Sequence, residues 1–211
     1  KNFIFLSTIK VNGEKSTIED PFINDLNDKP EDNYAKSKLL AENVIKKIAK
    51  KNKIKYFIIR PCLIYGPGVK ANFLNLIKLV DKKIPLPFKG ITNMRSILYI
   101  KNLCDFIYQI LKNEGCNNNT ILLADKYPIS LPDLINNIGI SLNKKARLFN
   151  CPNIILRFIF KIINKTEAFE KLSQSLVIAN CKNSCFDFEP RYDSLSGIKE
   201  TVNWYLKTKN K

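Results

Sequence analysis

The sequence predicts an α/β fold: a parallel sheet wrapped by helices, with a smaller, mostly α domain appended. Three observations predict it. Short apolar runs alternate with amphipathic helical patterns through the first 124 residues. The runs at 3–7, 54–60 (IKYFIIR) and 119–124 (NTILLA) read as buried strands. Beyond residue 130 helical periodicity takes over. With 45% hydrophobic and 26% charged residues, the 211-residue chain can bury a sizeable core and is long enough for one large domain or two small ones.

The elements follow in order. Lys1 opens almost directly onto the apolar run Phe3–Leu6, which reads as a strand entered midway through a fold whose N-terminal part is missing; such a truncation would leave a sheet edge and an apolar face uncovered. Residues 17–32 are polar, contain Pro21 and Pro30, and read as a loop. Asp32 or Asn33 caps a helix to about residue 51, with Leu39, Leu40, Val44, Ile45 and Ile48 at helical spacing. The strand over 54–60 stops at Pro61, and YGPG at 65–68 is turn chemistry. A helix is expected over 71–83, a short strand over 96–100, a helix capped by Asn102 through Lys112, and the strand over 119–124. Helices are then expected over 131–143, 152–164, 166–174 and 194–207. The segment 154–163 is too short to span a bilayer and carries two cations; it can lie on a membrane surface, but reads better as a core helix with snorkelling cations.

Charge and special residues exclude several chemistries. The net charge is +16, but 30 of the 35 cations are lysines spread along the chain. Nucleic-acid readers favour arginine forks and interleaved aromatics, so no nucleic-acid partner is expected, and with no apolar run of 18 residues no membrane span is expected either. The six cysteines (Cys62, Cys104, Cys116, Cys151, Cys181, Cys185) form no CxxC pair, and without any histidine they complete no zinc set. They read as buried free thiols of a reducing, cytoplasmic compartment. The lack of histidine also rules out Ser-His-Asp and Cys-His catalysis within the chain, leaving Tyr, Lys, Cys or a carboxylate for proton transfer. No GxGxxG occurs among the seven glycines.

Tyr34-Ala35-Lys36-Ser37-Lys38 then draws the eye. Tyr34 and Lys38 stand at i and i+4 on the expected helix and share one face. A phenol with a pKa near ~10 becomes a base at neutral pH only with roughly 4 kcal/mol of help. A neighbouring ammonium supplies part of it. Upstream, the first strand ends in Ser7-Thr8, which puts a hydroxyl at the carboxyl edge of the sheet, where open α/β sheets bind ligands. Thr8 could hydrogen-bond a substrate oxygen there, or simply satisfy the loop backbone.

The segments FIFLSTIKVNGE (3–14), YAKSKLLAE (34–42), RPCLIYGPGVKANF (60–73), RSILYIKNLCD (95–105) and FEPRYDSLSGIKETVNWY (188–205) together resemble the extended short-chain dehydrogenase/reductase family, in the group of nucleotide-sugar epimerases and dehydratases. The wording is most similar to bacterial UDP-N-acetylhexosamine 4-epimerases and 4-keto-sugar reductases of surface-polysaccharide synthesis. The resemblance implies the C-terminal half of a Rossmann-like parallel-sheet domain (1–66 plus 96–124) binding NAD or NADP, and a substrate domain (67–95 plus 125–211). It implies Thr8, Tyr34 and Lys38 as catalytic residues, with Tyr34, Lys38, Pro61, Cys62 and Leu63 on the cofactor. Thr8, Asn72, Phe88, Arg95 and Arg191 would hold a nucleotide-sugar substrate, an arginine fork suiting a pyrophosphate. It also implies a homodimer for the full-length protein. Leu63 stands where several epimerases carry Asn. The implied activity is epimerisation at C4 of a UDP-hexose or UDP-N-acetylhexosamine through a 4-keto intermediate. A reductase running one half of that cycle is the alternative, and a non-catalytic binding module the alternative of another class. The presence of Tyr34, Lys38 and Thr8 speaks against the last.

Overall fold

The computed structural model describes residues 2–23, 28–112, 119–162, 164, 166, 169, 173–179, 182–183 and 186–209. In chain order the elements are β1 (Asn2–Leu6), α1 (Asn33–Asn52), β2 (Lys55–Pro61), β3 (Leu63–Tyr65), α2 (Ala71–Asp81), β4 (Met94–Arg95), β5 (Ile97–Tyr99), α3 (Ile100–Lys112), β6 (Asn119–Leu123), β7 (Ile129–Ser130), α4 (Leu131–Ser141), α5 (Asn153–Ile162), β8 (Lys182–Asn183), β9 (Phe186–Asp187) and α6 (Ser194–Lys209). The helix expected over 166–174 falls largely outside the described residues, as do Cys116, Cys181 and Cys185. Among the described residues no helix is long and apolar enough to cross a membrane, and no cluster of His, Cys, Asp or Glu could hold a metal.

The chain forms two compact units. The first comprises 1–64, 96–127 and 176–192. Its centre is a parallel sheet in the order β1-β2-β6, with Leu6 opposite Ile59 and Arg60 opposite Leu122. β2 lies between two neighbours, and its last five residues, Phe57 to Pro61, are all buried. That explains a strand sequence without polar alternation. One face of the sheet packs Phe57, Ile59, Ile121 and Leu123 against Leu103, Phe106 and Ile110 of α3. Another cluster joins Ile9, Cys62, Leu122, Leu176 and Ile178. Segment 176–192, grouped with the second domain in the division expected from sequence, lies in this unit. Leu176 accepts from the Ser96 amide at 2.8 Å, and Ile178 bridges Phe22.

Asn102 is not a helix cap. α3 starts two residues earlier, and the fully buried Asn102 side chain donates to Asp125 Oδ1 (2.7 Å) and Tyr192 O (2.9 Å) while accepting from the Tyr192 amide (3.0 Å). An asparagine cap and an asparagine clamp look alike in sequence; what decides here is a distant backbone that only the fold delivers. Of the described cysteines only Cys62 is buried. Cys104 is exposed and Cys151 half-buried, which corrects the expectation of buried thiols.

The dominant polar feature of this unit is a buried ion cluster. Arg60 is 1% exposed and Glu42 is fully buried. Arg60 grips Glu42 with two parallel bonds, Nε to Oε1 at 2.9 Å and NH2 to Oε2 at 2.6 Å. Its NH1 donates to Asn12 Oδ1 (2.9 Å) and Asp28 Oδ1 (2.7 Å), and Ser7 Oγ donates to Glu42 Oε1 at 2.5 Å. Burial works against the Arg60 charge, but its bonds to Glu42 and Asp28 outweigh that and hold its proton more firmly than usual.

The second unit comprises 65–95, 128–175 and 193–211. α4 packs on α2 and α6, and β4 pairs antiparallel with β7. Ser130 caps α4, accepting from the Asp133 amide at 3.1 Å. Gly139 is required where the chain folds back: a Cβ there would lie 2.8 Å from Lys144 O. That return delivers Lys144 to the buried carboxylate of Asp81, which also accepts from Tyr205 Oη (2.9 Å) and Lys209 Nζ (2.5 Å). The bonds from Lys144 and then Lys209 hold the Asp81 carboxyl far below the usual carboxylate range, while burial and then Asp81 push the Tyr205 phenol up to about 12.

Two stability predictions follow from these clusters. Arg60→Met strands the Glu42 charge in the interior and should cost about 3–5 kcal/mol in urea unfolding, while Glu42→Leu with Arg60→Met restores much of it. Asp81→Asn should destabilise by about 2–3 kcal/mol at pH 7, where a charge-assisted set is lost. Because Asp81 ionises at lower pH folded than unfolded, its contribution is present above about pH 4 and is lost as pH falls through the folded value, so wild type and variant should converge in acid melts.

Candidate active site

Tyr34 and Lys38 occupy the first turns of α1, whose start is set by Asp32: its Oδ1 accepts from the Ala35 amide at 2.7 Å. The other Asp32 oxygen pairs with Lys10 Nζ at 2.5 Å. Lys10 belongs to the short 3-10 turn Ile9–Val11 that follows β1, and the N-cap of that turn is Thr8. One aspartate thus fastens the Thr8 turn to the beginning of the tyrosine helix. Further along α1, Glu42 continues the i, i+4, i+8 row from Tyr34 and Lys38 and is locked to Arg60 at the end of β2. The helix is therefore pinned at both ends of the row.

Lys38 itself reaches the carboxyl end of β1. Its Nζ donates to Leu6 O at 2.9 Å, lies 4.8 Å from the Phe5 ring centroid and 5.8 Å from that of Tyr34. The predicted sharing of one helix face thus holds, with the ammonium within cation–π range of the phenol ring. Tyr34 is 54% exposed. Its carbonyl accepts from Ser37 Oγ at 2.8 Å.

The two hydroxyls at the end of β1 differ. Ser7 is buried and spends its proton on Glu42. Thr8 is half-buried and accepts a long 3.4 Å bond from the Lys10 amide. Its capping role and an outward hydroxyl proton are compatible, since one oxygen both accepts and donates. Ser7 N donates to Ile59 O at 2.7 Å, so Thr8 leaves the sheet beside the carboxyl end of β2. There Pro61 and Cys62 are buried, and Leu63 is 51% exposed.

The residues expected at the substrate are divided between the units. Asn72, Phe88 and Arg95 lie in the second; Arg191 lies in the first and is exposed. Asn72 is an exposed second residue of α2 whose N-cap position is Lys70, so Asn72 is not the cap. The Phe88 side chain is buried. Arg95 sits in β4 opposite Ile129, and its NH1 donates to Gln174 O at 3.3 Å.

Sequence reasoning did not single out Glu42, Asn12 and Asp28. The available signal was Arg60 itself. An arginine directly after the apolar run Phe57–Ile59 of a strand requires a buried counter-ion, and an acid two helical turns beyond Tyr34 is placed to supply it.

The chain is 36% identical over 214 residues to a UDP-glucose 4-epimerase of Vibrio cholerae, covering all of this chain and 65% of that protein. It is 28% identical over 219 residues to an N-acetyl-alpha-D-glucosaminyl-diphospho-ditrans,octacis-undecaprenol 4-epimerase of Escherichia coli O157:H7, covering 97% and 65%. The chain thus spans just under two thirds of both relatives. A crystal structure of UDP-glucuronic acid 4-epimerase from Bacillus cereus in complex with NAD superposes with a TM-score of 0.76 at 20% identity, covering 99% of this chain and 62% of that one, a likeness of fold. The family model described as NAD dependent epimerase/dehydratase matches residues 1–124. That match takes in more than half of the 211 residues, including both strand ends and the tyrosine helix, and the chain belongs to the NAD-dependent epimerase/dehydratase family.

Proposed function

We propose that this chain carries the acid/base centre of a nucleotide-sugar 4-epimerase, with Tyr34, Lys38 and Thr8 acting on C4 of a UDP-hexose or UDP-N-acetylhexosamine. The observation that carries the reading is the seat of Lys38, bonded to Leu6 O at the carboxyl end of β1 and 5.8 Å from the Tyr34 ring. The names of the relatives, 4-epimerases of sugar diphosphates, support the reaction class.

The family is NAD-dependent, and the donors present suit that cofactor. Lys38 gives one of its three N–H groups to Leu6 O, and a vicinal diol such as a ribose suits the others. Pro61, Cys62 and Leu63 would border the nicotinamide at the end of β2. NAD, when bound, supplies a hydride acceptor that can return the hydride. The chain's own residues handle the proton. Tyr34 takes it from the sugar 4-hydroxyl, Lys38 stabilises the negative charge on the phenol oxygen, and Thr8 hydrogen-bonds the substrate oxygen beside it. Returning hydride to the opposite face of the 4-keto sugar inverts C4, with Tyr34 giving the proton back. Arg95 and Arg191 offer forks for the diphosphate, and Asn72 a polar side chain; the buried Phe88 ring serves first in packing. A reductase would use the same residues in one direction only. It would consume reduced cofactor in step with product, whereas an epimerase needs no net supply.

A second substrate reading is favoured by the exposed apolar face of α5. The Escherichia coli relative is named for a sugar joined through a diphosphate to a polyprenol. The same C4 chemistry applies to such a lipid-linked sugar.

The proposed dimer would use another apolar row. Leu40, Val44 and Ile48 stand at i, i+4 and i+8 on α1 and are 67%, 55% and 50% exposed. Sedimentation equilibrium should find a dimer that Val44→Asp dissociates; an unchanged molecular mass would rule out this row. Tyr34→Phe in the full chain should lower turnover by about 10²-fold or more while leaving UDP-sugar binding within twofold by calorimetry. Unchanged turnover would overturn the assignment.

A further inference from the structure

The helix α5 exposes what a core helix would hide. Ile154 is 82% exposed, Ile155 49%, Phe158 64%, Ile159 44% and Ile162 65%, whereas Leu156 is buried and Phe160 packs on Phe169 with ring centroids 5.2 Å apart. This corrects the core-helix expectation for residues 154–162; Ile163 lies outside the described residues. At about 100° per residue the five exposed side chains form one continuous arc of roughly 140°, opposite Leu156 and Phe160. Arg157 and Lys161 fall together along one border of that arc, both exposed, and the helix contains no acidic residue. The whole chain carries a net charge of +16.

We propose that α5 is a membrane-surface helix: its apolar arc enters the outer acyl region of a bilayer, and Arg157 and Lys161 engage acidic lipid headgroups. Charge chooses this occupant over a second protein copy. Two copies meeting antiparallel through this arc would bring two cationic borders together, and in either orientation neither helix has an acid to pair with them. An anionic bilayer supplies both the acyl interior and the counter-charge. A surface helix of this kind would bring the second unit to the plane in which a polyprenyl-linked sugar resides. The proposal bears on that substrate reading but depends on α5 alone.

Vesicle flotation tests it without substrate, so its failure leaves the Tyr34 reading intact. The chain should float with phosphatidylglycerol/phosphatidylethanolamine vesicles at least tenfold more strongly than with phosphatidylcholine vesicles. Phe158→Ser with Ile162→Ser should lower flotation at least tenfold. Arg157→Gln with Lys161→Gln should remove most of the preference for the acidic lipid. Phe158→Trp in a Trp204→Phe background keeps the apolar arc, and brominated acyl chains should quench its emission. Flotation absent in wild type, flotation unchanged by Phe158→Ser with Ile162→Ser, or an unquenched tryptophan would each overturn the proposal. So would a dimer in sedimentation velocity that the serine variant alone dissociates.

Discussion

Arg60 and Glu42 set the terms for the first unit. Each is a charge that the interior would reject alone, and their two parallel bonds, 2.9 and 2.6 Å, make burial tolerable only in one relative placement of α1 and β2. Such pairs add little net stability over apolar packing, so their effect is chiefly on register: an apolar contact survives a slide along the helix axis, whereas a bidentate fork does not. The register matters because Tyr34 and Lys38 lie on the same row of α1 as Glu42. Ser7, which bonds the same carboxylate, ties the end of β1 into the cluster, and Lys38 returns to Leu6 one residue earlier. A strand end, a helix face and a neighbouring strand are thereby fixed together by charge and hydrogen bonds.

Much of this fold could be read from the sequence because local and global demands agree. Periodicity set α1 to within one residue, and the apolar runs became the three parallel strands. The exceptions share a cause. Asn102 was legible as polar and placed near a helix start, yet its partners, Asp125 and the Tyr192 backbone, lie 23 and 90 residues away. Segment 176–192 carries too little periodicity to reveal that it returns to the first unit. At the site, the i, i+4 spacing of Tyr34 and Lys38 was visible, but the contact of Lys38 with Leu6 O depends on how a helix crosses a strand. The partners of Arg60 were hidden for the same reason, although the arginine itself announced that partners were needed.

The surface carries opposite cues. The net charge of +16, carried mostly by scattered lysines, reads as solvation, and a ten-residue apolar segment with two cations reads as core. What separates a core helix from a surface helix is which side faces inward, and that is a tertiary fact: Leu156 and Phe160 turn in, and five apolar side chains turn out. The lysines and the apolar arc together suit an anionic interface better than either does alone.

In the proposed reaction, proton transfer by Tyr34 and Lys38 serves a hydride transfer at C4 of a sugar diphosphate. Substrate deuterated at C4 tests that most directly. Turnover should slow relative to the protiated sugar, and the deuterium should be recovered at C4 of the inverted product. Exchange of that deuterium with solvent would mean that the C4 hydrogen leaves as a proton, which contradicts the claim.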